Sequence, residues 1–312
     1  MDYSKKIYVA GHRGMVGSAI CRALEAQGYT NVITRTRQQL NLLDHAAVEA
    51  FFEEEKPQQV YVAAAKVGGI LANARNGADF IRENLQIQTN IIDSAYRSGA
   101  AKLLFLGSSC IYPKLAEQPI PEDALLTGSL EPTNLPYAVA KIAGKTMCDA
   151  YRTQYGFDAF TVMPSNVYGV NDNFDPENSH VVAGLMRRFH EAKLTGASEV
   201  VAWGTGSPMR ELVFADDLAD ACVFLMENYT DGGMINAGSD QEISIKALTE
   251  EIAGIVGYEG EIVWDTDKPD GTPRKIMDNS KLSELGWRPK TEIPQGLKAM
   301  YDWYVGDLAK FA

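Results

Sequence analysis

The sequence predicts an α/β protein with a doubly wound parallel sheet (a Rossmann-type fold) and a second, smaller α/β substrate domain. Short apolar runs alternate with amphipathic segments of helical period from Lys6 to Met163. Glycines cluster directly after the first apolar run, and the rhythm changes after Pro164. Continuous apolar strands separated by helices are typical of a parallel sheet that is covered on both faces.

The first half of the chain supplies the core of this sheet. Five strands are predicted there, at 6–10, 31–34, 60–64, 102–107 and 159–163. Helices are predicted from the glycine turn to about residue 28, after an Asp44 cap to about residue 55, and over 79–98 and 137–155.

The second half mixes shorter elements with a polar segment, 171–179, that is predicted to be a loop or lid. Helices are predicted over 181–194, 217–228, 244–256 and 293–304, and strands at 199–203, 234–238 and 261–264. We predict a dinucleotide-binding domain from residues 1–170 and about 212–240. Residues of about 171–211 and 241–312 form the predicted substrate domain.

Composition excludes several classes of partner. The chain has 312 residues and a formal net charge of -12, whereas nucleic acids and anionic membranes attract basic surfaces. No apolar run approaches the roughly 20 residues of a membrane helix, and no signal peptide precedes the first strand. The four cysteines show no metal-ligand spacing. We therefore expect a reduced cytoplasmic protein with no metal, no nucleic acid and no membrane partner.

The glycine turn has the spacing Gly-x-x-Gly-x-x-Gly between the first strand and the first helix. Glycines there allow close approach of a pyrophosphate, which the helix N-terminus stabilises. A plain strand-to-helix turn is the alternative, but the position in a βαβ unit favours a cofactor site. The residues assigned to it are Gly11, His12, Arg13, Gly14, Met15, Val16 and Gly17.

The end of the second strand distinguishes the two nicotinamide cofactors. An acidic residue there would hold a ribose 2′-hydroxyl and favour NAD. This chain has Arg35 and Arg37 instead, with Arg13 in the glycine turn. The planar fork of arginine suits a 2′-phosphate, so we predict NADP(H).

Three residues have the chemistry for moving a proton and a hydride at a carbonyl. Tyr137 and Lys141 are four residues apart and share one helix face. A nearby ammonium is expected to lower the pKa of the tyrosine, and Lys141 can also bond the nicotinamide ribose. Ser108, at the end of a strand, can donate to the substrate oxygen.

Several longer motifs resemble those of a known protein family. They span residues 11–19, 63–70, 104–114, 131–134, 178–181, 203–204 with 209–211, and 268–275. With them the chain resembles the extended short-chain dehydrogenase/reductase family, and within it the epimerase-reductases of GDP-linked 4-keto-6-deoxyhexoses. Val170 and Asn171 stand where that pattern has Pro and His, and Ser165 stands for a Thr.

The resemblance implies two kinds of chemistry at one ketone, at C4 of a GDP-linked sugar. Cys110 serves as base and His180 as acid in epimerisation at C3 and C5, while Ser108 and Tyr137 stabilise the enolate oxygen. NADPH then reduces C4, and Tyr137 supplies the proton. From the residues alone, Cys110 is better interpreted as a small buried hydrophobic side chain.

The resemblance also implies the remaining contacts. Substrate is bound by Arg188, Trp203, Arg210 and Asp270, although core packing is an equal alternative for the tryptophan. Further cofactor positions are Arg37, Asn41, Leu42, Ala64, Leu106, Gly107, Ser108, Ser109, Tyr137, Lys141, Pro164, Ser165, Asn166, Val167 and His180. By analogy, helices 79–98 and 137–155 pair two subunits into a homodimer.

Three alternative functions differ from this one in what they require of the chain. By family analogy a nucleotide-sugar 4,6-dehydratase has a carboxylate after the strand-end hydroxyl, where this chain has Ser109 and Cys110. A 4-epimerase would keep NAD bound, at odds with the arginines. An NADP-sensing interaction protein would have no use for a proton donor such as Tyr137.

Overall fold

The computed structural model describes residues 2–176, 178–268 and 270–307. Pro269 of the 268–275 motif and residues 308–312 of the predicted substrate domain lie outside the described residues.

Twelve strands occur in the described part of the chain. They are β1 (Ile7–Ala10), β2 (Val32–Ile33), β3 (Gln59–Val62), β4 (Lys102–Leu106), β5 (Asp158–Pro164), β6 (Asn166–Tyr168), β7 (Glu199–Trp203), β8 (Met209–Phe214), β9 (Gly233–Ala237), β10 (Glu242–Ser244), β11 (Glu261–Asp265) and β12 (Arg274–Lys275).

Ten α-helices accompany these strands in the same described residues. They are α1 (Met15–Ala26), α2 (His45–Glu55), α3 (Ile70–Arg75), α4 (Gly77–Arg97), α5 (Leu135–Tyr155), α6 (Val181–Thr195), α7 (Ala215–Asn228), α8 (Ile245–Val256), α9 (Ser280–Glu284) and α10 (Ile293–Gly306).

The predicted parallel sheet is confirmed. Six strands run in the order β2-β1-β3-β4-β5-β9, and each neighbouring pair is parallel. One face carries an apolar core under α1 and α7, and the other carries a core under α2, α4 and α5. The order in which strands are added reverses between β1 and β3, because β2 lies on one side of β1 and β3 lies on the other. Open α/β sheets bind ligands at such a position, beyond the carboxyl ends of the strands.

The smaller lobe is built around β8. This strand pairs with β6 and β12 in parallel and with β10 in antiparallel orientation, while β7 and β11 form a separate parallel pair. A third apolar core lies under α6, α8 and α10. The sequence pattern does not predict β6, β8, β10, β12, α3 and α9. All of these are short except β8, of which only the 209–211 motif is evident in the sequence.

The sequence signals for the cap of α2 and for the loop before α6 are confirmed. Asp44 caps α2 by accepting a hydrogen bond from the Ala47 N–H at 3.2 Å. The polar segment before α6 contains no helix or strand among its described residues, which confirms the predicted loop. None of the helices in the described ranges is long and apolar enough to cross a membrane.

Candidate active site

The glycine turn after β1 forms a close-packed cradle beside β3. Gly11 has φ +87°, and a Cβ on it would lie 2.7 Å from Ala64 N. A Cβ on Gly17 would lie 2.1 Å from Gly11 O. No side chain caps α1, so its first-turn N–H groups are open to an anion. The predicted cofactor positions 11–17 and Ala64 therefore meet at one place that fits a pyrophosphate.

The arginines of the glycine turn and of the segment after β2 differ in whether they have a partner. Arg35 bonds the Glu55 carboxylate at 2.5 Å and lies over the Phe51 ring at 5.3 Å. Arg13 and Arg37 are exposed and make no hydrogen bond or ion pair within the described residues. Two guanidinium groups are thus available for a 2′-phosphate, while Arg35 has a structural partner.

The predicted positions Asn41 and Leu42 lie in the turn that precedes α2. Asn41 accepts a hydrogen bond from the Leu43 N–H at 3.2 Å, and the Leu42 carbonyl accepts from Asn90 at 2.9 Å. These bonds fix the backbone that follows Arg37.

The catalytic candidates converge at the carboxyl end of β4. Lys141 is 3% exposed, and its Nζ donates to the Leu106 carbonyl at 2.7 Å. The same Nζ lies 5.8 Å from the centre of the Tyr137 ring. Cys110 and Ser108 both lie close enough to Tyr137 to affect the pKa of its phenol, and Cys110 lies close enough to Lys141 to affect the pKa of its ammonium group. Four predicted residues therefore share one site.

The expected effect of Lys141 on Tyr137 is wrong for this structure. Burial, followed by the nearby Cys110 thiol, raises the pKa of Tyr137 well above its ordinary value. Burial also lowers the pKa of Lys141 to about 7. A lysine that is itself desolvated contributes little positive charge, so burial dominates over the attraction that the Tyr-x-x-x-Lys spacing suggests.

Cys110 is half-buried, so it is not the small core side chain that the residues alone favoured. It lies in a single 3₁₀ turn, Ser109–Ile111, directly after β4. Ser108 caps this turn by accepting from the Cys110 N–H at 3.3 Å. The thiol is thus placed beside the strand-end hydroxyl, where a substrate ketone can reach both.

His180 occupies the N-cap position of α6, with an exposed side chain. Two hydrogen bonds connect its loop to the first half of the chain. The Asn178 carbonyl accepts from Gly69 N at 3.1 Å, and the Asn171 amide donates to Ser18 Oγ at 2.9 Å. No hydrogen bond joins His180 to Cys110 in the described chain. The imidazole lies on a different loop from the thiol. Delivery of a proton by His180 to the face of the sugar carbon opposite Cys110 stays a prediction.

A buried carboxylate lies close to this histidine. Asp172 is 6% exposed, and its Oδ2 has no hydrogen-bond partner in the part of the chain that the structure describes. Burial raises the pKa of Asp172 to about 6, against the opposing effect of the nearby His180. Asp172 therefore supplies negative charge to the loop that carries the predicted acid.

The predicted nicotinamide side lies at the ends of β4 and β5. Pro164 and Ser165 are buried, and Asn166 and Val167 are half-buried. Ser165 Oγ is a buried hydroxyl with no hydrogen-bond partner among the described residues, as expected for a group that faces a ligand. Leu106, Gly107 and Ser109 are buried against the same edge.

The predicted substrate arginines are anchored on the smaller lobe. Arg210 donates from its Nη1 to the Met209 and Thr272 carbonyls, each at 2.7 Å, and its other N–H groups have no partner among the described residues. Burial lowers the pKa of Arg210. Arg188 is exposed and donates to the Val201 carbonyl at 2.9 Å.

Trp203 and Asp270 lie on the surface of the same lobe. Trp203 is 60% exposed, which excludes core packing, and Lys268 Nζ lies 5.8 Å from its ring. The Asp270 carboxylate accepts from Thr205 N at 2.9 Å and Thr205 Oγ1 at 2.7 Å. These two bonds lower the pKa of Asp270, so an ionised carboxylate is held in place.

Two side chains that support the site, the Glu211 carboxylate and the Thr205 hydroxyl, were not predicted from the sequence. Glu211 is fully buried and accepts from Ser239 N and Asp240 N at 2.9 Å and from Met277 N at 3.0 Å. It thereby joins β8 to the segments that follow β9 and β12. Glu211 was visible only as part of the 209–211 motif, and Thr205 gave no sequence signal.

Comparisons with known proteins show the family of the chain. The model of the NAD dependent epimerase/dehydratase family matches residues 7–238. GDP-L-fucose synthase 1 of Arabidopsis thaliana is 62% identical, over 97% of this chain and 94% of its own. GDP-L-fucose synthase of Escherichia coli strain K12 is 50% identical over 98% of both chains.

Among solved structures, a GDP-mannoheptose C4 reductase from Campylobacter jejuni with NADP bound has a TM-score of 0.90. It is 38% identical, and the match covers 98% of this chain and 99% of that one. The chain therefore belongs to the NAD dependent epimerase/dehydratase family, in the branch that contains the GDP-L-fucose synthases.

Proposed function

We propose that this protein inverts C3 and C5 of GDP-4-keto-6-deoxy-D-mannose and reduces C4, giving GDP-L-fucose, with NADP(H) as its cofactor. The observation that carries the proposal is the half-buried thiol of Cys110 beside Ser108, Tyr137 and Lys141. A plain reductase needs only the last three residues. The relatives reported above bear the name of this activity over nearly the full chain.

Epimerisation uses the acidity of the hydrogens beside the C4 ketone. Cys110, as thiolate, removes a proton from C3 or C5, and the electron pair moves onto the ketone oxygen as an enolate. Ser108 and Tyr137 donate hydrogen bonds to that oxygen. His180 returns a proton to the opposite face of the carbon, which inverts it.

Reduction uses the same carbonyl. NADPH, when bound by the glycine turn and Arg37, supplies the hydride for C4. Tyr137 gives its phenolic proton to the developing alkoxide, and its raised pKa keeps that proton on the phenol at neutral pH. Lys141 holds the neighbouring Leu106 carbonyl and fixes the helix face that carries Tyr137.

The nucleotide part of the substrate is assigned to the smaller lobe. In the proposal, Arg210 and Arg188 neutralise the diphosphate, Trp203 offers an aromatic surface and Asp270 accepts from sugar hydroxyl or base N–H groups. The division into dinucleotide and substrate domains is part of this proposal. So are a cytoplasmic location and a homodimer formed through α4 and α5.

The test is incubation of the pure protein with NADPH and the 4-keto-6-deoxymannose nucleotide in deuterated water. NMR should identify GDP-L-fucose with deuterium at C3 and C5, and omission of NADPH should leave exchange without reduced product. Reduced sugar without deuterium would reassign the protein as a C4 reductase. Elimination of water, or bound NAD that survives gel filtration, would favour a dehydratase or a 4-epimerase.

A further inference from the structure

A buried hydrogen bond lies two residues after Cys110. The Tyr112 hydroxyl donates to Asn236 Oδ1 at 2.6 Å, and the two side chains are 3% and 0% exposed. Burial, followed by the charge of Glu122, raises the pKa of Tyr112. The phenol therefore stays protonated and remains a donor at any working pH.

Asn236 uses its remaining groups to join three segments. Its N–H donates to Glu122 at 3.1 Å, and its amide donates to the Ile120 and Asp278 carbonyls, each at 3.0 Å. It lies near the carboxyl end of β9, at the edge of the sheet that carries the active site. The residue thus connects the chain after Cys110 with the segment that follows β12.

The turn that carries Cys110 is weakly held by its own hydrogen bonds. Ile111 N donates to the Ser108 carbonyl at 3.1 Å, and Tyr112 N donates to the Ser109 carbonyl at 3.4 Å. Three-residue 3₁₀ turns have poor hydrogen-bond geometry. One end is fixed by β4, so the position of the thiol depends on how firmly the other end is anchored, at Tyr112.

We propose that Tyr112 and Asn236 are positioning residues that aim Cys110 Sγ at C3 and C5, and that they serve epimerisation rather than hydride transfer. The inference rests on the proposed function. The reducing residues have other supports, because Tyr137 and Lys141 belong to α5 and Ser108 directly follows β4.

Tyr112→Phe removes this one hydroxyl and retains the ring in its apolar cluster. Deuterium incorporation at C3 and C5 of the 4-keto nucleotide is expected to fall by about ten- to hundredfold, as for a misplaced catalytic group. Oxidation of GDP-L-fucose by NADP⁺ measures the C4 step alone: the C4 hydride passes to NADP⁺, and the hydroxyl proton passes to Tyr137 as the phenol gives its own proton to solvent water. Its rate, and NADPH affinity, should stay within about twofold of wild type.

Tyr229→Phe is the matched control. Tyr229 is also buried, and its hydroxyl donates to the Gly232 carbonyl at 2.5 Å, just before the N-terminal end of β9. This variant loses an equivalent hydrogen bond and should keep exchange and C4 oxidation equal to wild type. Thermal melts of both variants show whether the fold persists.

Two results overturn the inference. Either exchange in Tyr112→Phe is unchanged, or exchange and C4 oxidation fall by the same factor, which marks a general structural role. Failure of the proposed function looks different, because the wild-type protein itself would then show no exchange at C3 and C5 of the 4-keto nucleotide sugar.

Discussion

The amide of Asn171 donates a hydrogen bond to Ser18 Oγ at 2.9 Å. This bond connects the loop of His180 to α1, the helix that follows the glycine turn. Asn171 has φ +66°, a left-handed conformation that asparagine tolerates. Ser18 is itself held by Arg22, whose guanidinium pairs with Asp216 at 2.8 Å. The site that binds the dinucleotide and the loop that carries the predicted acid are therefore mechanically joined.

Asn171→Gly should weaken this connection without straining the backbone, since glycine accepts the left-handed conformation. We expect NADPH affinity and the rate of C3 and C5 exchange each to fall about two- to tenfold, from loss of one hydrogen bond. Fluorescence titration and deuterium exchange measure the two effects. Ser18→Ala should reproduce them, and an unaltered exchange rate in both variants would contradict the connection.

Arg37→Ala tests the cofactor preference. Loss of a charge-assisted bond to a 2′-phosphate should weaken NADPH binding about ten- to hundredfold and leave NADH binding nearly unchanged. Arg35→Ala is the control, because Arg35 is occupied by Glu55. Equal losses for NADPH and NADH on titration of Arg37→Ala would remove its assigned role.

Cys110→Ser and Tyr137→Phe should separate the two reactions. The serine hydroxyl is a far weaker base than a thiolate, so Cys110→Ser should abolish deuterium incorporation while cofactor binding persists. Tyr137→Phe should stop reduction and leave part of the exchange, because Ser108 still donates to the enolate. NMR and NADPH absorbance follow the two outcomes, and normal turnover of Cys110→Ser would refute the assignment of the base.

Burial of Lys141 is expected to make the free energy of unfolding depend on pH. Its folded pKa of about 7 lies below its ordinary value of 10.5, so the unfolded chain binds more protons between these two pH values. Burial of Lys141 therefore costs most stability below pH 7, and the cost declines by about 1.4 kcal/mol per pH unit above it.

Lys141→Met should accordingly be more stable than wild type at pH 7, by an amount that shrinks toward pH 9.5. Urea unfolding of both proteins across that range gives the difference, in which other titrating groups cancel. A difference that is constant with pH would mean that Lys141 is charged in the folded protein throughout.

Thr205→Val tests the anchoring of Asp270. The valine retains the backbone bond but loses the Oγ1 contact at 2.7 Å, so the carboxylate is held less firmly. We expect KM for the nucleotide sugar to rise about three- to tenfold with little change in kcat. Thr205→Ser retains the hydroxyl and should restore KM in steady-state assays. A fall in kcat alone would place Thr205 in another role.

Sequence patterns predicted the large sheet well because its strands are continuous apolar runs that alternate with strongly periodic helices. They missed β8, whose Glu211 is buried in a polar network rather than in an apolar core. The cluster of Ser108, Tyr137 and Lys141 was foreseeable from their place in the βαβ order.

The properties that depend on burial or on distant partners were not foreseeable. The spacing of Tyr137 and Lys141 suggested a lowered tyrosine pKa, but desolvation of both groups reverses the direction for Tyr137. Tyr112 and Asn236 are separated by 124 positions, and nothing local in either segment indicates that they meet. Only the fold brings such pairs together.

The pairing of β5 with β9 has a consequence for biosynthesis. The last strand of the sheet begins at Gly233, and the chain between the two partners contributes β6, β7 and β8 to the smaller lobe. A nascent chain must therefore emerge from the ribosome beyond Ala237 before the sheet acquires its final edge. Until then the edge of β5 stays exposed, and this interval is when the growing polypeptide most needs protection from aggregation.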